Sequence, residues 1–230
     1  MGNDDVGTSR GAVAARPARA SKYRVHEIFL TLQGEGFNTG TAAVFCRFSG
    51  CNLWSGHERH RATARCTFCD TTFVGVDGDG GGTFSSPDEL AATVEAAWAA
   101  GAADRLVVCT GGEPLLQLDP PLIDAFHRRD FRVAVETNGT LAVPDGVDWV
   151  CVSPKSGVAL VTTSGDELKL VHPQDGIDPS DLIELHFDHR FLQPMDGPHI
   201  AQNTALAVQY CLDHPEWRLS TQTHKHLGIR

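Results

Sequence analysis

Ala42-Ala43-Val44-Phe45-Cys46-Arg47-Phe48-Ser49-Gly50-Cys51, followed after a polar segment by Cys66-Thr67-Phe68-Cys69-Asp70, sets three cysteines at C-x14-C-x2-C just beyond an apolar strand. Three thiolates can occupy three corners of a four-iron cubane and leave one iron with an open coordination position; a closed electron-transfer cluster takes four. Zinc is the other reading, with Cys46, His57 or His60 completing a four-ligand set around the C-x2-C knuckle. Cys46 alternates with Val44 and Phe48 on one strand face, where a cysteine is a small buried hydrophobe. On the cysteines alone both readings stay open.

Upstream, Arg24 to Leu30 alternates as a strand, and the turn-rich Gln33-Gly34-Glu35-Gly36 leads into the strand Ala42 to Phe48. Residues 1–21, rich in Gly, Ala, Ser and Arg, have no hydrophobic period and are expected to form a disordered, dispensable tail. Downstream, the glycine-rich run from Val74 to Thr83 is expected to be a flexible excursion, because no terminal glutamate follows at calcium-loop spacing. Ser86-Pro87-Asp88-Glu89 supplies an N-cap, a first-turn proline and a capping-box glutamate for a helix that buries Leu90, Val94, Ala97 and Trp98. A buried strand at Arg105 to Thr110, a helix from about Asp119 to Arg129, β-rich runs at Val133 to Glu136, Trp149 to Val152, Leu168 to Val171 and Leu182 to Phe187, and a helix from about His199 to Asp213 follow. Three main helices and about six core strands are too few for a full eight-fold barrel, which takes ~250 residues. The expected fold is α/β, a partial, open TIM-like barrel, forming one domain over 22–230 with an insert at 52–65.

A chain of 230 residues with 41% hydrophobic and 21% charged residues has globular composition. A net charge of −10 argues against a nucleic-acid groove. No apolar run reaches membrane-span length and no export signal precedes the domain, so a cytoplasmic protein with reduced thiols is expected from its seven cysteines. A homodimer, the commonest assembly, is the expected state.

Gly111-Gly112-Glu113-Pro114 lies directly after the strand Leu106 to Thr110, at the strand's C-terminal end, where ligands bind in α/β folds. Glycine there permits close backbone approach by a ligand. Together with the three cysteines, this turn resembles the radical S-adenosylmethionine (SAM) superfamily. The words Thr31-Leu32-Gln33-Gly34-Glu35-Gly36, Glu136-Thr137-Asn138-Gly139, Ser153-Pro154-Lys155 and Gln193-Pro194-Met195-Asp196 extend the likeness over nearly the whole chain after the tail. Within the superfamily the resemblance is to the 7-carboxy-7-deazaguanine synthase family, a subset of which shares the fourteen-residue gap.

The resemblance implies a carbon–nitrogen lyase of queuosine or deazapurine biosynthesis. In that reaction a reduced cluster cleaves SAM, the 5′-deoxyadenosyl radical takes hydrogen from C6 of 6-carboxy-5,6,7,8-tetrahydropterin, the ring contracts and ammonia is lost. It implies a 4Fe-4S cluster on Cys51, Cys66 and Cys69 and Mg²⁺ on the Thr71 hydroxyl. SAM contacts are implied for Phe68, Cys69, Asp70, Gly112, Glu113, Ser153, Pro154, Lys155, Gln193, Pro194, Met195 and Asp196. The pterin would meet Leu32, Gln33, Gly34, Glu35, Arg47 and Thr110, with His224 and Arg230 returning from the C-terminus. Arg47 would grip the substrate carboxylate bidentately. The basic residues Arg59, Arg61 and Arg65 of the insert are expected to dock an acidic electron donor such as flavodoxin. A glycyl-radical activase and, in another class, a zinc-stabilised binding module are the alternatives.

Overall fold

The computed structural model describes residues 22–98 and 103–230; the expected 1–21 tail lies outside them. Nine strands among the described residues form one sheet: β1 (Tyr23–Leu32), β2 (Ala42–Phe48), β3 (Gly82–Phe84), β4 (Arg105–Gly111), β5 (Phe131–Thr137), β6 (Trp149–Val152), β7 (Ser164–His172), β8 (His186–Pro194) and β9 (Arg218–Leu219), in the spatial order β3-β1-β2-β4-β5-β6-β7-β8-β9. The pairs from β2 through β9 are parallel, whereas β1 runs antiparallel to both β2 and β3. Four α-helices lie among the described residues: α1 (Pro87–Ala97), α2 (Pro120–His127), α3 (Ile200–Asp213) and the short α4 (Thr223–Leu227). Helices accompany the crossovers into β4, β5 and β9, but those from β5 to β6 and from β6 to β7 have none. The sheet is therefore an open partial barrel, as the element count predicts. No helix among the described residues is long and apolar enough to cross a membrane.

Strand side chains alternate between two faces, and here the alternation separates the core from the site. Val44, Cys46 and Phe48 of β2, Val107 and Cys109 of β4, and Val133 and Val135 of β5 face outward and pack with Leu90, Val94, Leu122, Ile123 and Phe126 of α1 and α2 in the main core. Val152, Leu168, Leu170 and Leu192 pack with Ala207 of α3 and Trp217 in a second core. The opposite face carries Ala43, Phe45, Leu106, Val108 and Ala134, a thinner apolar layer. Beyond that layer, toward the C-terminal strand ends, the inward positions become Arg47, Thr110, Glu136 and Lys169.

Local chemistry explains the helix starts. Ser86 caps α1 by accepting from the Glu89 N–H at 3.2 Å, with Pro87 at the first position. The Glu89 carboxylate reaches back to Ser85 N and Oγ, both at 2.7 Å, and so caps one residue earlier than the expected box. Asp119 caps α2 by accepting from the Leu122 N–H at 3.1 Å.

Two expectations are corrected. The glycine-rich run is folded onto β1 rather than excursive. Ile28 N–H donates to Asp79 O and Gly78 N–H to His26 O, and Gly82–Phe84 becomes the edge strand. A β-carbon at Gly81 would lie 2.1 Å from His26 O, so here glycine serves close backbone packing. In the run Leu182 to Phe187, Leu182 ends a 3-10 turn, Pro179–Leu182, residues 183–185 form a turn, and only His186 and Phe187 are strand, opening His186–Pro194; Leu182, Leu185 and Phe187 pack in the second core.

The open side is bridged by the segment after β1. Gly36 N–H donates to Ser220 Oγ at 2.9 Å, and Gly34 O accepts from Thr223 N–H at 2.9 Å, tying β1 to the last elements of the chain.

Candidate active site

A cavity of about 540 Å³ occupies the inside of the partial barrel. Register builds its charged wall, because Arg47 pairs with Thr110 between β2 and β4, and Glu136 of β5 pairs with Cys151 of β6. Lys169 on β7 is 4% exposed and donates to Glu35 at 2.6 Å and to Glu136 at 3.4 Å. Gln33 Nε2 donates to Glu136 at 2.9 Å, and the Thr110 hydroxyl donates to it at 3.4 Å. Burial alone would push Glu35 up; the neighbouring Lys169 ammonium overrides it and holds the carboxyl at about 2. Lys169 is raised despite burial by the surrounding carboxylates, Glu136 first. Such a desolvated cation between two carboxylates is tolerated only because it is paired on both sides.

Arg47 donates from Nε to Glu27 at 2.8 Å, and its two terminal nitrogens make no hydrogen bond among the described residues. They remain available inside the cavity to a bound carboxylate. Glu27 also receives Arg230, whose guanidinium reaches Asp79 and lies 4.5 Å over the Phe29 ring. The C-terminal segment thus lies against the cavity: His224, Lys225 and Arg230 all line it. Glycine at 34 leaves room for the His224 ring, since a β-carbon would meet His224 Nδ1 at 2.3 Å.

The expected substrate contacts Leu32, Gln33, Gly34, Glu35, Arg47, Thr110, His224 and Arg230 all line this cavity. So do Phe68, Cys69, Asp70, Gly112, Ser153, Lys155, Gln193, Pro194, Met195 and Asp196 of the expected SAM set, and Thr71. Two residues of that set stand behind the wall instead. Glu113 is fully buried and accepts from the Thr137 hydroxyl, the Asn138 N–H and the Leu115 N–H, fixing the Gly-Gly turn onto the end of β5. Burial pushes its carboxyl up, while these hydrogen bonds pull it down. Pro154 is buried and offers its carbonyl to Gln174. The glycines of the turn also have a role beyond ligand approach. β-Carbons at Gly111 and Gly112 would each sit 2.2 Å from a carbonyl oxygen, Phe48 O and Gly50 O, so both are needed for the end of β4 to pack on β2.

Asp70 and Asp196 are bridged by Lys225, at 2.6 and 2.5 Å, which joins the cysteine loop to the end of β8. Glu136, Lys169, Gln222 and Lys225 were not assigned by sequence reasoning. Lys169 within Glu167-Leu168-Lys169-Leu170 has the polar/apolar alternation of a strand with a wet face; only barrel curvature turns that face inward.

The cysteine loop forms the cavity rim. Cys66 and Cys69 line it and Cys51 stands beside them, all three with free thiols close enough to influence one another's ionisation. The Cys66 thiol donates to Cys69, and with the Thr71 N–H and hydroxyl this brings Cys69 down to about 6 against the effect of burial; Cys66 rises in exchange. Leu53 N–H donates to Cys51 Sγ at 3.4 Å. No three His, Cys, Asp or Glu side chains among the described residues are arranged to hold a single metal ion. Cys46 is fully buried in the main core, on the strand face opposite the cavity, which removes it from the four-cysteine zinc set. Three neighbouring thiols with backbone N–H donors fit a multi-iron cluster that takes one thiolate per iron.

One expectation for the insert is corrected. Arg61 does not present its charge outward: its guanidinium lies 4.2 Å over the Trp54 ring and donates to the carbonyls of Thr67 and Cys69. Arg59 and Arg65 are exposed.

Comparison with known proteins agrees with this geometry. The radical SAM superfamily model matches residues 60–166. The chain is 64% identical over 207 residues to the 7-carboxy-7-deazaguanine synthase of Caulobacter vibrioides, covering 90% of this chain and 99% of the relative. It is 62% identical over 208 residues to that of Bradyrhizobium diazoefficiens, with the same coverage. The crystal structure of QueE from Escherichia coli superposes with a TM-score of 0.66 at 29% identity, covering 88% of this chain and 95% of that one. With an open, mostly parallel barrel, three rim cysteines and near full-length relatives at this identity, the chain belongs to the 7-carboxy-7-deazaguanine synthase family of the radical SAM superfamily.

Proposed function

We propose that this protein converts 6-carboxy-5,6,7,8-tetrahydropterin to 7-carboxy-7-deazaguanine with loss of ammonia, as one radical SAM domain over 22–230 whose insert at 52–65 serves the cluster. The observation that carries the reading is the juxtaposition of three free thiols at the rim with a charged wall in which half-buried Arg47, Glu35 and Glu136 surround the buried Lys169. Cys51, Cys66 and Cys69 would hold a 4Fe-4S cluster, which when bound with SAM supplies the radical chemistry of the reaction.

The chain's own residues bind, orient and exclude. The free terminal nitrogens of Arg47 suit the substrate carboxylate, which a guanidinium grips with two parallel bonds. Gln33, Glu35 and Glu136 offer amide and carboxylate groups to a heterocycle bearing N–H donors, and Lys169 keeps Glu35 ionised. Lys155, held by Ser153 at 2.7 Å, faces the Phe68 ring and the thiols of Cys66 and Cys69. With Ser153 and residues 193–196 at and just beyond the end of β8 it would receive SAM. The Thr71 hydroxyl would hold Mg²⁺, a cation that favours hard oxygen donors. The exposed cations Arg59 and Arg65 serve an acidic reductant.

The test is anaerobic reconstitution followed by assay with SAM, Mg²⁺ and the carboxylated tetrahydropterin. A brown protein with about four irons per chain that forms 5′-deoxyadenosine and a deazaguanine acid is expected. A colourless, zinc-loaded protein, or one that reduces SAM without consuming the pterin, would overturn the reading.

A further inference from the structure

The insert between Cys51 and Cys66 contains a 3-10 turn, Glu58–Thr63, with no buried residue, so its reason for being is not a core of its own. Its one inward commitment among the cations is Arg61. The guanidinium carbon lies over the ring of Trp54, 4.2 Å from its centroid, and Trp54 is itself buried and edge-on to Phe73. Nε donates to both Glu58 carboxylate oxygens at 2.8 Å, which fixes the plane from one side. From the other side, one terminal nitrogen donates to Thr67 O at 2.8 Å and to Cys69 O at 3.1 Å. These carbonyls belong to a stretch from Ala64 to Phe73 without helix or strand, whose backbone acceptors must find partners elsewhere.

We propose that Arg61 is a positioning residue for the cysteine loop: stacked on Trp54, it binds the carbonyls on either side of Phe68 and so sets the placement of Cys66 and Cys69 and the reduction potential of the group they hold. The inference rests on the proposed function for the identity of that group, but not for the contacts themselves. A guanidinium can stack and fork donors in one plane, which an ammonium cannot. Its charge, only 29% exposed at the side chain, lies beside the loop that carries two of the thiolates. A nearby cation favours the extra electron of a reduced cluster, since charge and hydrogen bonding near the sulfurs tune its potential. The enlarged cysteine spacing thereby acquires a purpose: it is long enough to carry Trp54 and Arg61 back against the loop that follows.

The test compares wild type, Arg61→Ala, Arg61→Lys and Arg59→Ala. In the full-length apo-protein, hydrogen exchange over residues 64–71 is expected to be roughly tenfold faster in Arg61→Ala, the effect of losing charge-assisted bonds to two carbonyls, and unchanged in Arg59→Ala. In the reconstituted protein, Arg61→Ala should lose iron to a chelator faster and show a lower midpoint potential. Arg61→Lys should recover part of the potential but not the exchange protection. Arg61→Ala matching wild type in both exchange and potential would overturn the proposal, as would equal recovery of both by lysine. If Arg61→Ala unfolds, Arg61→Gln is read on the same quantities. A wild type that binds no iron would sink the proposed function instead, while the apo exchange experiment would still decide whether Arg61 positions the loop.

Discussion

The two faces of the same strands have opposite chemistry. On β7 the outward residues Leu168 and Leu170 are fully buried against α3, while Lys169 between them is buried against Glu35 and Glu136. On β2, Phe48 packs under the helices and Arg47 faces the cavity. On β7 burial is nearly equal on both sides, so what differs is how it is compensated. Outward residues gain by leaving water, about 25 cal/mol per Å² of apolar area; inward ones require a partner of opposite charge to remain ionised at all. One face therefore supplies stability, and the other converts part of it into an organised polar wall.

Adjacent substitutions on β7 should separate the two roles most sharply. Leu168→Ala is expected to cost about 2–5 kcal/mol of unfolding free energy by leaving a cavity in the second core, with KM unchanged in the protein that remains folded; urea denaturation beside steady-state kinetics reads both. Lys169→Met, which strands Glu35 and Glu136 without their cation, should lower kcat/KM by roughly a hundredfold, about 3 kcal/mol. Loss of folding without a specific kinetic defect in Lys169→Met would erase the distinction between the faces.

Acid sensitivity belongs to the inner face. Glu35 is held at about 2 in the folded protein against an ordinary 4.5, so its stabilisation is complete above about pH 4.5 and is lost as pH falls toward 2. Glu35→Gln should flatten the stability curve in that window, whereas Leu168→Ala should shift the whole curve without changing its slope. Acid titration of the denaturation midpoint measures this.

Gly34→Ala should raise KM for the pterin by roughly tenfold, the scale of a displaced binding contact, because the new methyl would evict the His224 ring from the cavity side of the chain. The smallest effect is expected at the rim. Arg59→Ala combined with Arg65→Ala should reduce the rate of electron delivery from an acidic donor a few-fold at low salt, with the difference vanishing at high salt, where exposed charges are screened. A salt-independent deficit would remove steering as their role.

Legibility followed the same division. Outward periodicity was readable because core packing demands it: α1 starts at its Ser86 cap and β2 and β6 fall on the expected residues. The lysine of β7 was not, since alternation in one strand cannot tell a wet face from a cavity. Arg61 was misjudged for a related reason. In a basic insert it counts as surface charge until the fold sets Trp54 beneath it and two carbonyls beside it.

By itself the sequence determined the α/β class, the three-thiol loop and the glycine turn, because each depends on local spacing, propensity and residue type. Only the tertiary structure decided that Glu113 supports the wall from behind, that Gly111 and Gly112 yield to neighbouring carbonyls, and that Lys169, Glu136 and Lys225 belong to the site. Those assignments depend on which residues meet across strands and loops far apart in the chain, and sheet curvature, not local pattern, sets those meetings.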